Sequence, residues 1–318
     1  MKYERILRAF AQTPLALMPE KAAEIIAFLE LKAGGRMFSP DEIAARVGGE
    51  RQAARGGSSS GSGNAIAVIP VFGTIMQRAS MMTEISGGTS CQRVSTDLRQ
   101  ALANPGVSRI VLEFDSPGGG VYGVAELADE IRKSRGPKPI IAQVNSLAAS
   151  AAYWLACSCD ELICTPSGEV GSIGVYGVHE DWSKAYDDLG VKFTLVKAGK
   201  YKAEGVDYAP HGDEAAAYMQ KRVDEYYTQF IRAVAKGRGV PESEVRNGFG
   251  EGRVVGASEA VKLKMADRVG TLNDTLARLG VKGAAMGPTR VLAAAPAAFD
   301  AEHDWRVNRN RLRQRSRG

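Results

Sequence analysis

The chain has 318 residues, 44% hydrophobic and 24% charged, which is room for one large domain and a small extra one. Its net charge of +5 is local: Trp305 to Gly318 hold six arginines and no acid, so the rest of the chain sums to about −1. The basic balance therefore describes a tail, either solvated or a contact for nucleic acid or an acidic partner, and excludes a broadly basic body.

No run approaches the roughly 18–20 apolar residues that span a bilayer, and the opening MKYERILRAF lacks the apolar core of a secretory signal. The expectation is a protein with no membrane contact, in the cytoplasm. Four cysteines, three of them in ACSCDELICTP, match no common zinc spacing and read as small core residues, with no metal or other cofactor implied.

In chain order, residues 1–54 read as a small helical segment, with EKAAEIIAFLELKA carrying apolar residues at helical spacing and Ser39-Pro40 opening a second helix. Residues 55–64, RGGSSSGSGN, are a flexible linker. From Ala65 to about residue 282 strands alternate with helices. The strand candidates are 65–75, 109–114, 139–145, 161–165, 172–178 and 192–197, and the helix candidates are 91–103, 121–134, 149–158, 213–237, 257–264 and 272–279. This alternation predicts an α/β domain of βαβ units with largely parallel pairing. Residues 283–318 are Ala/Pro-rich and then Arg-rich, with little fixed structure expected.

Four segments carry chemistry. DSPGGG (115–120) follows a strand, and its glycines let the backbone turn sharply and aim N–H groups at a ligand, though a plain turn uses the same residues. SLAASAAYWLA (146–156) puts Ser150 among alanines at a helix start, where unpaired N–H groups suit a developing oxyanion; a small packing residue reads the same. GSIGV (171–175) comes next, and AGKYKAEG (198–205) then places Lys200 and Lys202 on a turn. A lysine acting as a base at neutral pH needs its pKa brought from about 10.4 to about 7–8, which burial against apolar surface supplies.

The order SPGG, AAS-A-AYWLA, GSIGV, GKYK resembles the S49 peptidases, the signal-peptide-peptidase-A and protease-IV group, over about residues 65–280. The resemblance implies a ClpP/crotonase-like fold and a serine endopeptidase with a Ser–Lys dyad. It makes Ser150 the nucleophile and Lys202, rather than Lys200, the base, with Ser172 supporting the lysine. The resemblance further implies that the N–H groups of Gly119 and Ala151 form the oxyanion hole and that Gly118 and Gly120 belong to the substrate-binding loop. Ala151 stands where family members often carry glycine, which bears on pocket shape. The family also implies a homo-oligomer in which neighbouring subunits help build the groove. The opening TPLALMPEKAAEIIAFLE is similar to that of the phage-encoded head maturation branch, which makes capsid, portal or scaffold proteins the expected polypeptide substrates and a procapsid an alternative location. VLAAAPAAFDAEH (291–303) is a candidate for self-cleavage. Four other readings stay open: a cytosolic degradative peptidase, a Ser–His arrangement using His179, a crotonase-type acyl-CoA enzyme, and a non-catalytic capsid- or scaffold-binding protein.

Overall fold

The computed structural model describes residues 14–33, 65–79 and 88–280. The second N-terminal helix, the Gly/Ser linker and the Arg-rich tail lie outside the described residues.

The main sheet has seven strands. Its path runs β10 (Val254–Gly256), β9 (Glu169–Gly171), β7 (Ile140–Ala149), β5 (Val107–Ser116), β2 (Ala65–Phe72). Off this path, β8 (Glu161–Cys164) pairs with β7 and with β11 (Arg268–Val269). Strands β2, β5, β7, β8 and β9 join through parallel pairings, as the alternation of strands and helices predicts. Strand β7 is long enough to serve two neighbours: Ile141–Val144 pairs with β8, and Leu147–Ala149 with β9.

Because side chains alternate along each strand, one face of this sheet presents Ile69, Ile110, Leu112, Phe114, Ala142, Val144 and Leu162 to the main core. The other presents Val68, Val111, Ile141 and Ile163. Helices α2 (Cys91–Ala103), α3 (Val124–Lys133), α4 (Ala151–Ala156) and α6 (Asp213–Arg238) supply the first core, whereas the second face is covered by α9 (Leu272–Arg278). Burial on both faces explains why these strands read as nearly continuous apolar runs.

A second, four-stranded sheet runs β1 (Leu15–Leu17), β6 (Gly118–Gly120), β3 (Ile75–Met76), β4 (Thr89–Ser90). The helix expected from EKAAEIIAFLELKA forms as α1 (Pro19–Ala33), and the strand β1 just before it was not foreseen. Short helices α5 (Ser183–Asp188), α7 (Glu242–Gly248) and α8 (Ala257–Lys262) complete the described elements.

Two expected strands do not form. SIGVYGV (172–178) forms no strand, because Gly171, the last residue of β9, and Ser172 both take positive φ (116° and 53°) and turn the chain out of the main sheet; only Tyr176 pairs, as an isolated bridge to Leu15. KFTLVK (192–197) lies outside any strand, with every residue exposed. The helix expected over 149–158 is shorter, since Ala149 still belongs to β7.

Helix α4 is buried throughout and is pinned from both sides. Trp154 stacks on Phe230 of α6 at 4.6 Å, and the Tyr153 hydroxyl donates to Met265 O at 2.9 Å. Gly237 lets α6 approach the end of this helix: a Cβ there would stand 2.0 Å from the Cys157 carbonyl oxygen. Gly→Ala inside a helix ordinarily stabilises by about 0.5–1 kcal/mol. Here the sign should reverse, with Gly237→Ala costing about 1–3 kcal/mol through overpacking; a thermal melt showing a raised Tm would refute this close approach.

Next to it, Arg238 forms a salt bridge to Asp267 at 2.7 Å with only 8% of its side chain exposed. Burial pushes the Asp267 carboxyl up, but Arg238 and the Leu162 N–H outweigh it and hold it below the usual range. That contribution to stability is present above the unfolded carboxylate pKa and is lost as pH falls through the lowered value. All four cysteines are free and buried, and burial pushes Cys91, Cys157 and Cys164 up to about 12, so they behave as core residues.

Candidate active site

Strand β7 runs straight into Ser150, and α4 begins one residue later. Ser150 has φ 56° and ψ −119°, a backbone conformation that costs a non-glycine residue roughly 1–3 kcal/mol. It persists because it is fixed on both sides. The Ser150 N–H donates to Gly171 O at 2.7 Å, and its carbonyl accepts from Trp154 N–H at 3.0 Å, closing the first turn of α4. The residue is 1% exposed, and its hydroxyl donates to Gly174 O over a long 3.4 Å. A strand–turn–helix with serine at a strained corner is the arrangement that projects a nucleophile at the end of a sheet.

The glycine loop packs directly on this corner. Gly118 has φ 101°, and a Cβ there would lie 2.9 Å from Ser150 Cβ and 3.0 Å from Ala149 O. Gly119 is held even more tightly, since a Cβ on it would come 1.7 Å from Ile75 O. Both positions demand glycine for close backbone approach, and Gly120 completes the strand β6. The loop's shape is set by Ser116, whose hydroxyl donates to Gly73 O at 2.6 Å and accepts from Gly118 N–H at 3.2 Å. Ser146 donates to the Asp115 carboxylate, and Asn145 donates to Glu113 at 2.9 Å, tying the ends of β5 and β7 together. Burial raises the Glu113 carboxyl above its ordinary value, against the lowering effect of Asn145. Sequence reasoning did not single out Ser116, Asp115 or Ser146 as supports. Their signal is the placement of short polar side chains at the ends of adjacent parallel strands.

Ser172 follows Gly171, whose carbonyl accepts from the Ser150 N–H at 2.7 Å, and its own N–H donates to Arg253 O at 2.8 Å. The structure thus brings Ser150, Ala151, Gly118, Gly119 and Ser172 to one corner.

Residues 132–285 match the model of Peptidase family S49. Capsid assembly protease C of Escherichia phage lambda is 32% identical over 213 residues, covering 67% of this chain and 48% of that protein. These matches make the chain similar to Peptidase family S49. Head-tail preconnector protein GP5 of Enterobacteria phage P21 is also 32% identical over 213 residues, covering 67% of this chain and 42% of that one. The chain therefore spans about half the length of these curated relatives, 48% and 42%. Among solved structures, a ClpP1 mutant from Listeria monocytogenes matches with a TM-score of 0.40 at 14% identity, over 66% of this chain and 94% of that one.

The two lysines of the GKYK turn differ in their partners. Lys200 donates to Glu214 and to the Tyr201 hydroxyl, each at 2.8 Å, and the bond to Glu214 is the main cause that raises its pKa. That holds Lys200 as a cation. Lys202 is exposed, and its side chain makes no hydrogen bond or ion pair among the described residues, Ser150 included. It sits on an arm, residues 178–212, whose stretch from 189 to 202 is exposed throughout, with Leu189 at 75% and Val196 at 91%. The arm holds itself together by a stack of Phe193 on Tyr208 at 4.3 Å and an edge contact of Tyr186 with Phe193 at 4.9 Å. His179 and His211 meet with ring centroids 4.3 Å apart and planes tilted by 34° where the arm leaves and returns, and His179 makes no hydrogen bond with Ser150. No group of three or more His, Cys, Asp or Glu that would hold a metal occurs among the described residues, and no described helix is long and apolar enough to cross a membrane.

Proposed function

We propose that the chain is a serine endopeptidase in which Ser150 attacks the peptide carbonyl, with Lys202 of a neighbouring copy as its base. The observation that carries this reading is the strained Ser150 corner packed against Gly118 and Gly119. In the proposed cycle the neutral Lys202 amine takes the Ser150 hydroxyl proton as Oγ bonds to the carbonyl carbon. The N–H groups of Gly119 and Ala151 receive the oxyanion, each worth about 3–4 kcal/mol in the transition state. Protonated Lys202 then passes its proton to the leaving amine, and water hydrolyses the acyl-enzyme by the reverse route. Ser172 is assigned the hydrogen bond that holds the lysine.

Delivery of Lys202 by a second copy is supported by the arm. Apolar side chains exposed in a row, on backbone with no sheet partner among the described residues, call for a surface to cover them. Covering them also removes water from Lys202, which favours its neutral form. Lys200, held as a cation by Glu214, suits that task less well. The substrates we propose are capsid, portal or scaffold polypeptides, following the printed names of the phage relatives.

The test is co-expression with candidate capsid and portal proteins, comparing wild type with Ser150→Ala by gel and intact mass. Processing by wild type and none by Ser150→Ala is expected. Equal processing by both would overturn the assignment.

A further inference from the structure

Strand β1 occupies a place that a peptide substrate would take. It lies antiparallel to β6, with Leu15 opposite Gly120, Ala16 opposite Gly119 and Leu17 opposite Gly118. On its other side the Leu15 N–H donates to Tyr176 O at 2.9 Å and the Tyr176 N–H to Leu15 O at 3.1 Å. The flanking bonds, Met18 N–H to Pro117 O at 3.0 Å and Val121 N–H to Pro14 O at 3.2 Å, fix the phase of the ladder. Bonded and non-bonded pairs alternate in an antiparallel ladder, so Ala16 and Gly119 are a bonded pair, with the Gly119 N–H on the Ala16 carbonyl. This is the same amide assigned above to the oxyanion.

The nucleophile is close by. A Cβ on Gly118 would stand 2.2 Å from Ala16 O and 2.9 Å from Ser150 Cβ, so no more than these two distances together separates that carbonyl from the serine. Leu15, Ala16 and Leu17 are 2%, 0% and 2% exposed, and Ala16 belongs to the main core. Main-chain pairing on both sides, with a carbonyl at the oxyanion amide, is how an extended peptide is held by strand addition.

We propose that Pro14–Met18 is a built-in substrate mimic that closes the cleft, and that the peptides the enzyme cuts bind in the same register. This rests on the Ser150 reading above. The register gives a substrate class: extended segments with a small residue at the position of Ala16, where the enclosing core leaves no room for a bulky one, and apolar residues on either side. Being tethered, the mimic acts at an effective concentration in the millimolar range, so a free peptide displaces it only when comparably concentrated or when the strand is withdrawn.

The test compares the full chain with its Ala16→Asp variant, which puts a charge into the enclosed position and expels the strand. A fluorophosphonate probe should label Ser150 in the variant at least about tenfold faster, as expected if wild type is open no more than about a tenth of the time. A free peptide of the sequence Phe10–Ala22 should slow that labelling again. Since Ala16→Asp risks unfolding, a chain lacking residues 1–18 is run beside it, each checked by circular dichroism, and should show the same acceleration. Equal rates in wild type and both variants would overturn the mimic and leave the Ser150 reading standing. Labelling in none of the three would overturn the Ser150 reading and the mimic with it.

Discussion

Ser150→Ala and Lys202→Ala, each inactive alone, should regain activity when mixed. Each substitution removes one half of a proposed dyad, and loss of a nucleophile or its base typically lowers kcat by about 10⁴–10⁶. If the lysine acts on the serine of its own chain, every site in the mixture stays broken. If it acts on a neighbour, a site works whenever an intact Ser150 meets an intact Lys202. In a randomly mixed ring that is about a quarter of sites. The geometry motivating this is plain: Ser150 is buried at the end of β7, whereas Lys202 is exposed on an arm whose apolar residues are exposed with it. Peptide hydrolysis after mixing, dilution and re-equilibration is the measurement. A mixture no more active than its parts would place the base within one chain or dismiss Lys202 altogether.

Gly119→Ala should be the most damaging single-methyl change at the site. The added carbon would meet Ile75 O at 1.7 Å, Ile75 C at 2.5 Å and Ile75 N at 2.7 Å, all backbone atoms of β3 that cannot rotate away. Strand β6 must therefore shift, carrying the proposed oxyanion amide with it. A lost oxyanion donor costs about 10²–10³ in kcat, and the overpacking should add about 1–3 kcal/mol of destabilisation. Gly256→Ala is the control, because a Cβ there meets nothing within 4 Å. A Gly119→Ala enzyme with unchanged kcat would show that this amide does not hold the oxyanion.

Much of the fold was legible because parallel strands buried on both faces announce themselves as short β-branched runs. Helix α2 coincides with its expected span, 91–103, where Ser90 caps it by accepting from Arg93 N–H at 3.2 Å. Three of the four motifs, SPGG, AAS and GSIGV, meet at the corner built by Ser150, Gly118 and Gly119 with Gly171 and Ser172 beside it, whereas GKYK lies on the exposed arm. What sequence could not give was pairing that depends on distant partners. KFTLVK has strand composition and no strand partner among the described residues, so composition alone did not decide its structure. Leu15–Leu17 was hidden by its brevity and by the strong helical period that follows, because only the far-off glycine loop makes it a strand. Single polar supports such as Ser116 were unreadable for the same reason, since Gly73, which accepts its hydroxyl, is forty-three residues away.

The ring contacts among Tyr186, Phe193 and Tyr208, with the His179–His211 pair, give the arm a shape of its own without any second copy. A loose arm would surrender its own conformational freedom on every encounter, and assembly would be weak for the area covered. An arm already shaped surrenders little, so the proposed association should be tighter for the area covered. If that association delivers Lys202 to Ser150, the proposed activity would rise with protein concentration.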